Sequence, residues 1–342
     1  MAEETDPHPA WDNHTPRHAS TRLPRLNDGD FADLIQIGLS GDLIDDFREH
    51  LSCVTELLDR IPELVRVRFP ATQTRPDELN PEFLRDHWKE IVGRLHLAQL
   101  SANRTLRDLL LGFLSSLQDR NPLCVALTSR SAIESAALFR RLGRTVAGRK
   151  EKIEAQVLPF LQGGNDTTES LYDRALIEAL VRFQHGARLW PTGSCPDTVA
   201  GWGDWREHSL YEPADTAKKH GHEQSTAGQI LDALNANQQN VLTAVEKISG
   251  RSEHMELLPT YDFLSEFCHP NAENRRIGFV SSELEAGDAV VEFSGGRCLT
   301  PGTRNGIWLG IIGMIHAIDI HLAAHNEIYE STHAVSDVIA RS

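Results

Sequence analysis

The sequence predicts an all-α protein, a multi-helix bundle that carries one small β-hairpin near residues 276–294. Apolar residues recur at three- and four-residue spacing over most of the chain, which is the period of an amphipathic helix. Asn80 and Asn121 each precede a proline, and Asn at the cap with Pro in the first turn marks a helix start. The stretch near 276–294 differs, because β-branched and aromatic residues flank Glu285-Ala-Gly-Asp288, as they do in a hairpin.

The first third of the chain is expected to hold a leader and an N-terminal helical region. Residues 1–28 are rich in Pro, His, Asp and Thr without periodicity, which predicts a disordered leader. The N-terminal helical region then covers 29–118. Its first helical pattern breaks at Gly41, where Asp42 is expected to cap the second piece, and a long helix follows Asn80.

A helical domain is expected over residues 119–330, around the helix that starts after Asn121. This helix is expected to end at Gly143, since Gly is common just past a helix C-terminus. Small side chains on nearly all of its faces would let neighbouring helices approach closely, which suits a central helix. These small residues are Ala126, Ser129, Ser131, Ala132, Ser135, Ala136 and Ala137.

The remainder of the chain is predicted to be mainly helical. Amphipathic patterns continue over three ranges, 146–161, 168–190 and 226–249. A final apolar helix is expected from about Thr303 to Tyr329, followed by a polar tail over 331–342.

Charge and cysteine usage narrow the class of protein. With 49 acidic and 34 basic residues the net charge is −15, which opposes non-specific binding to nucleic acid unless a local basic patch overrides it. The five cysteines contain no CxxC pair, which is typical of a reduced, cytoplasmic protein. The polar N-terminus is not a signal peptide, and no apolar run approaches the ~20 residues that span a membrane. Without a Gly-rich phosphate loop, no nucleotide cofactor is expected.

The segment Tyr261-Asp-Phe-Leu-Ser265-Glu-Phe-Cys-His269-Pro-Asn is the strongest candidate site. Tyr261, Ser265 and His269 lie at i, i+4 and i+8 and therefore share one face of a helix. Pro270 makes His269 the expected helix end, because the residue before proline is disfavoured in the α region. A serine hydrolase is not expected, since Ser265 lies on a regular helix and not on a sharp turn.

Arg130 and Glu134 form the second half of the candidate site. They are four residues apart on the small-residue helix, so they share a face and can pair. The structural interpretation is an ion pair that holds a neighbouring helix. The functional interpretation is that they meet Tyr261, Ser265 and His269 in one polar cluster that contains a catalytic proton donor.

Two Glu-x-x-His motifs raise the alternative of a di-iron carboxylate site in a helical bundle. The residues that would form it are Glu266, His269, Glu330 and His333, with Glu134 and Glu178. Such short motifs of common residues arise by chance, so no metal cofactor is expected. His321 and His325 are a weaker metal candidate, at i and i+4 on the last helix.

Arginines after the central helix and after the His269 segment predict a local basic patch that could bind RNA. The predicted RNA-binding residues are Arg140, Arg141, Arg144, Arg275 and Arg276. Helix C-terminal ends also favour basic residues, so a solvated helix face is the alternative.

Arg130-x-x-x-Glu134, followed much later by Tyr261-x-x-Leu-Ser265-Glu-x-x-His269-Pro-Asn, resembles a group of uncharacterised bacterial all-helical proteins that are similar to the HEPN-like superfamily. The resemblance covers roughly residues 120–330. It implies a helical, dimeric core and a role related to RNA-cleaving toxins or phage defence. If the protein is an enzyme, the resemblance implies a metal-independent ribonuclease.

The chain also departs from the pattern of active HEPN ribonucleases, which carry Arg four to six residues before His in one helix. No Arg occupies the helix that leads to His269, and Arg251-x-x-His254 has a different spacing. The hypothesis is therefore that Arg130 supplies the cation from another helix. The alternatives are a non-catalytic helical scaffold and a metal-dependent bundle.

Overall fold

The computed structural model describes residues 28–36, 38–61, 79–164, 168–185, 241–250, 255–268, 279–283, 289–293 and 301–341. The described part is mainly helical, as the sequence predicts. Its α-helices are α1 Asp28–Gln36, α2 Gly41–Leu58, α3 Pro81–Gln118, α4 Pro122–Ala147, α5 Lys150–Lys152, α6 Leu158–Leu161, α7 Arg174–His185, α8 Val241–Ser249, α9 Leu257–Cys268 and α10 Pro301–Arg341. A π-helical turn, Ile153–Val157, links α5 to α6, and a 3-10 turn, Glu169–Leu171, precedes α7.

Side-chain caps start three of the long helices. The Oδ1 atoms of Asn80 and Asn121 accept the backbone N–H of the third residue on, at 2.8 and 3.2 Å, which confirms both predicted starts. The start of α2 differs from the prediction. Ser40 is its cap, and the Ser40 hydroxyl accepts a backbone N–H at 3.3 Å. Asp42 lies in the first turn, where the positive end of the helix dipole stabilises its negative charge.

Gly143 does not end the central helix, which continues to Ala147. The reason for glycine here is the close approach of α10. A Cβ atom at Gly143 would lie 3.0 Å from the carbonyl oxygen of Ala324. The last helix is longer than predicted, because α10 continues past Tyr329 to Arg341, into the predicted polar tail, and buries Val335.

Helix α4 contacts α3, α7, α8, α9 and α10, so the prediction of a central small-residue helix is confirmed. Helix α10 runs parallel to α4. Helices α3 and α4 are antiparallel and are joined by a tight turn at Arg120, whose φ is 52°. The predicted boundary between 118 and 119 falls at this turn, and α3 and α4 contribute to the same two core clusters on either side of it.

Glycines on α10 allow the close packing of the central helices. Gly306, Gly310 and Gly313 face α4 and α9, and a Cβ atom at Gly313 would lie 2.8 Å from Leu264. The hydroxyl of Ser129 on α4 donates to the carbonyl oxygen of Gly310 at 2.7 Å, in a buried position. The α4–α10 pair is therefore closely packed, and α9 lies against both helices.

The described residues include two short strands, β1 Phe279–Glu283 and β2 Ala289–Phe293. They pair antiparallel, with Phe279 opposite Phe293 and Glu283 opposite Ala289. Residues 284–288, which include the predicted turn, lie outside the described residues.

Among the described residues, one helix is long and apolar enough to span a membrane by length and composition. It is the helix α10. In this protein 61% of its most apolar window is buried against other helices, which is also what the core helix of a bundle shows.

Candidate functional site

The polar cluster begins with Arg130 and Glu134 on adjacent turns of α4. The Nε atom of Arg130 donates to Oε1 of Glu134 at 3.1 Å. Their side chains are 24% and 31% exposed, so the pair lies at the edge of the core and keeps access to solvent. The pair predicted from the four-residue spacing is therefore present.

Tyr261 on α9 joins this pair from another part of the chain. Its hydroxyl donates to the same Oε1 atom of Glu134 at 2.8 Å, across 127 residues of sequence. The guanidinium carbon of Arg130 lies 5.4 Å from the centre of the Tyr261 ring, within the range of a cation–π contact. Helix α9 thus brings the first residue of the Tyr-Ser-His segment to the Arg–Glu pair.

The environment keeps the Tyr261 phenol neutral. Burial raises the pKa of Tyr261, and the hydrogen bond to the Glu134 carboxylate raises it further, which outweighs the opposing effect of Arg130. A neutral phenol donates its proton in a hydrogen bond. Tyr261 is therefore a donor and a positioning group in this cluster, and not a base.

No contact of Ser265 or His269 with the Arg130–Glu134 pair is seen among the described residues. The Ser265 hydroxyl donates to the carbonyl oxygen of Tyr261 at 2.8 Å, which is a bond to its own helix one turn back. Helix α9 ends at Cys268, and His269 lies outside the described residues. Of the five predicted cluster residues, the structure brings Arg130, Glu134 and Tyr261 into direct contact.

The predicted RNA-binding arginines on α4 are half-buried. Arg140 Nη1 pairs with Oε2 of Glu327 on α10, so its charge is balanced within the protein. Arg141 and Arg144 lie on the following turn of the same helix. Arg275 and Arg276 lie outside the described residues.

The described part of the chain contains no group of three or more His, Cys, Asp or Glu side chains placed to hold a metal ion. Glu330 lies 4.0 Å from Lys150, whereas Glu134 is bound by Arg130 and Tyr261. The Glu178 side chain and His269 lie outside the described residues.

Sequence reasoning missed a buried ionic centre at Asp173. Its carboxylate accepts from Arg149 at 2.9 Å and from Lys152 at 3.0 Å, and it caps α7. Burial opposes the charge of Asp173, but these bonds outweigh it and lower its pKa. His87 on α3 accepts the backbone N–H of Asp173, and burial lowers the pKa of His87 to about 4. The signal available in the sequence was an Asp directly before a helical pattern.

A second buried histidine lies between α3 and α10. The Nε2 atom of His321 lies 2.8 Å from Oδ1 of Asn103, and burial lowers the pKa of His321 to about 3. Its neighbour His325 has no hydrogen-bonding carboxylate among the described residues, and burial lowers its pKa too. Both imidazoles are therefore neutral, and the structure explains the i, i+4 pair as core packing.

Comparison of the chain with protein-family models, with curated proteins and with solved structures gave no significant match.

Proposed function

We propose that this chain is a cytoplasmic HEPN-like protein that processes RNA in a toxin or phage-defence role, with Arg130, Glu134, Tyr261 and His269 as its site. The supporting observation is the 2.8 Å hydrogen bond from Tyr261 to Glu134. It joins the two motifs that carry the resemblance. If the two motifs form one site, they should meet in the fold, and here residues 127 positions apart lie within hydrogen-bond distance.

The chemistry in this proposal is cleavage of RNA without a metal ion. The ribose 2′-oxygen attacks the adjacent phosphorus, the bond from phosphorus to the 5′-oxygen breaks, and a base accepts the 2′-hydroxyl proton. This proton passes from the base through water to the departing 5′-oxygen, so the products are a 2′,3′-cyclic phosphate and a 5′-hydroxyl group. His269 is the proposed base. Arg130 would stabilise the charge that develops on the phosphate oxygens, while Glu134 and Tyr261 hold its guanidinium in place.

Arginine side chains would attract RNA to this acidic protein. Arg140, Arg141 and Arg144 follow Arg130 on the same helix, and Arg275 and Arg276 follow His269 in the chain. Because Arg140 is paired with Glu327, the other four arginines would supply the local positive charge that a net charge of −15 otherwise opposes. The resemblance adds a homodimer, an HEPN-like helical core, and the β1–β2 pair as an insertion in that core.

A helical scaffold is the second candidate, and a specific observation favours it. The described groups of the cluster bind one another: Glu134 accepts from Arg130 and Tyr261, and Ser265 donates to its own helix. Such a network of hydrogen bonds between helices is also what fixes helices in register.

The test compares the wild type with His269→Ala on labelled single-stranded RNA in the presence of a chelator. The proposal predicts cleavage by the wild type, a loss of about 100-fold or more in the variant, and little change in its thermal midpoint. His333→Ala, which alters an exposed histidine of α10, is the control and should cleave normally. Intact cleavage by His269→Ala would overturn the assigned role. No cleavage by the wild type, with a large fall in the midpoint of His269→Ala, would support the scaffold.

A further inference from the structure

His50 on α2 lies between two acidic residues and has an oxygen atom at each ring nitrogen. Its Nδ1 atom lies 2.7 Å from the carbonyl oxygen and 3.1 Å from the carboxylate of Asp46, one turn earlier. Its Nε2 atom lies 2.9 Å from Oδ1 of Asp319 on α10. The His50 side chain is 21% exposed, so this bridge is partly shielded from water.

This geometry selects the protonated form of His50. A neutral imidazole has one N–H donor and one lone pair, so one nitrogen would face an acceptor without a proton between them. The imidazolium donates at both nitrogens. Partial burial disfavours its charge, but the Asp46 carbonyl and the charges of Asp319 and Asp46 outweigh burial and raise the pKa of His50.

The bridge fastens α2 to the last helix. Helix α2 also packs on α3 through an edge-to-face contact of Phe47 with Phe113, and Arg48 lies over the Phe31 ring of α1. The contact with α3 thus joins two aromatic rings, and the contact with α1 joins a ring to the Arg48 cation. In the described part of the chain, Asp46 and Asp319 are the charged groups that act on His50.

We propose that His50 is a pH-dependent latch that holds the α1–α2 pair to α10 while it is protonated and weakens this attachment when it loses its proton. The sign follows from linkage. A group with a raised folded pKa stabilises the fold fully below its unfolded pKa, near 6.5, and this contribution is lost as the pH rises through the folded pKa. The latch is independent of the proposed RNA site.

The test is amide hydrogen exchange of the full chain at about pH 6 and about pH 9, on either side of the histidine range, with rates corrected for intrinsic exchange. In the wild type we expect α2 amides to lose about tenfold in protection at the higher pH, the scale of one charge-assisted hydrogen bond. His50→Gln, which does not titrate, should show no such difference. Asp319→Asn keeps His50 but removes the carboxylate of α10, and should reduce the response.

His333→Gln is the matched control. His333 also has Nδ1 near the carbonyl oxygen one turn back, at 3.2 Å, but no carboxylate contact is described for it. It should keep the wild-type pH response of α2. The proposal is overturned if wild-type α2 shows equal protection at both pH values, or if His50→Gln or Asp319→Asn keeps the full wild-type response.

Discussion

The hydroxyl of Tyr261 donates a hydrogen bond to Oε1 of Glu134 at 2.8 Å, and this contact links α9 to the central helix α4. The same oxygen accepts from Arg130, so a single carboxylate connects two helices and a cation. Because the Tyr261 ring is buried and its hydroxyl meets a half-buried charge, the contact contributes to stability whatever the cluster does chemically.

Tyr261→Phe removes only this hydroxyl. We expect a loss of about 1–2 kcal/mol in the free energy of unfolding, since a buried hydrogen bond to a charged group is broken. In a chain of this size that lowers the thermal midpoint by about 2–4 °C per kcal/mol. Urea titration measures it, and Tyr329→Phe on an exposed tyrosine of α10 is the control, with an expected change below about 0.5 kcal/mol. Equal effects of the two variants would show that the Tyr261–Glu134 bond adds nothing.

Gly310→Ala tests the close packing of α4 on α10. The added Cβ would clash with the Val125 side chain, so we expect destabilisation of about 1–3 kcal/mol despite the better helix propensity of Ala. Gly41→Ala is the matched control, because a Cβ there meets no atom within 4 Å. Chemical denaturation of the two variants should differ in sign or by more than about 1 kcal/mol. A neutral Gly310→Ala variant would show that the helices move apart at little cost.

The buried His87 predicts acid sensitivity. Its folded pKa of about 4 lies below the unfolded value of 6.5, so the unfolded chain takes up protons first as the pH falls. Its contribution to stability is present above pH 6.5 and is lost on acidification, by about 2 kcal/mol at pH 5. His87→Gln keeps an acceptor for the Asp173 N–H and does not titrate. Its unfolding free energy should therefore fall less between pH 7 and pH 5 than that of the wild type, whereas an equal fall would contradict the assignment.

Local sequence signals predict local structure well in this chain. Asn80 and Asn121 start their helices as expected, because a cap depends on residues three positions apart. The Arg130–Glu134 pair follows from the geometry of one helix in the same way. Ser265 shares a face with Tyr261, but its hydroxyl bonds to the helix backbone, which the face alone does not predict.

Long-range contacts decide what the local signals leave open. Gly143 has the appearance of a helix end, yet the partner that requires glycine is Ala324, far along the chain. The carboxylate that pairs with Arg140 belongs to Glu327, and this pairing depends on how α10 runs beside α4. The meeting of Tyr261 with Glu134 likewise depends on where α9 packs, and no spacing in the sequence encodes it.

The most direct test of the central claim is the affinity for single-stranded RNA of the wild type and of Arg130→Gln over a series of salt concentrations. The account predicts that the wild type binds, and that the variant binds more weakly with a salt slope smaller by about 0.7, the value for one lost phosphate contact. Arg104→Gln, which alters an exposed arginine in another i, i+4 pair, is the control and should bind as the wild type does. A folded Arg130→Gln protein with unchanged affinity and slope, or a wild type that binds no RNA, would contradict the account.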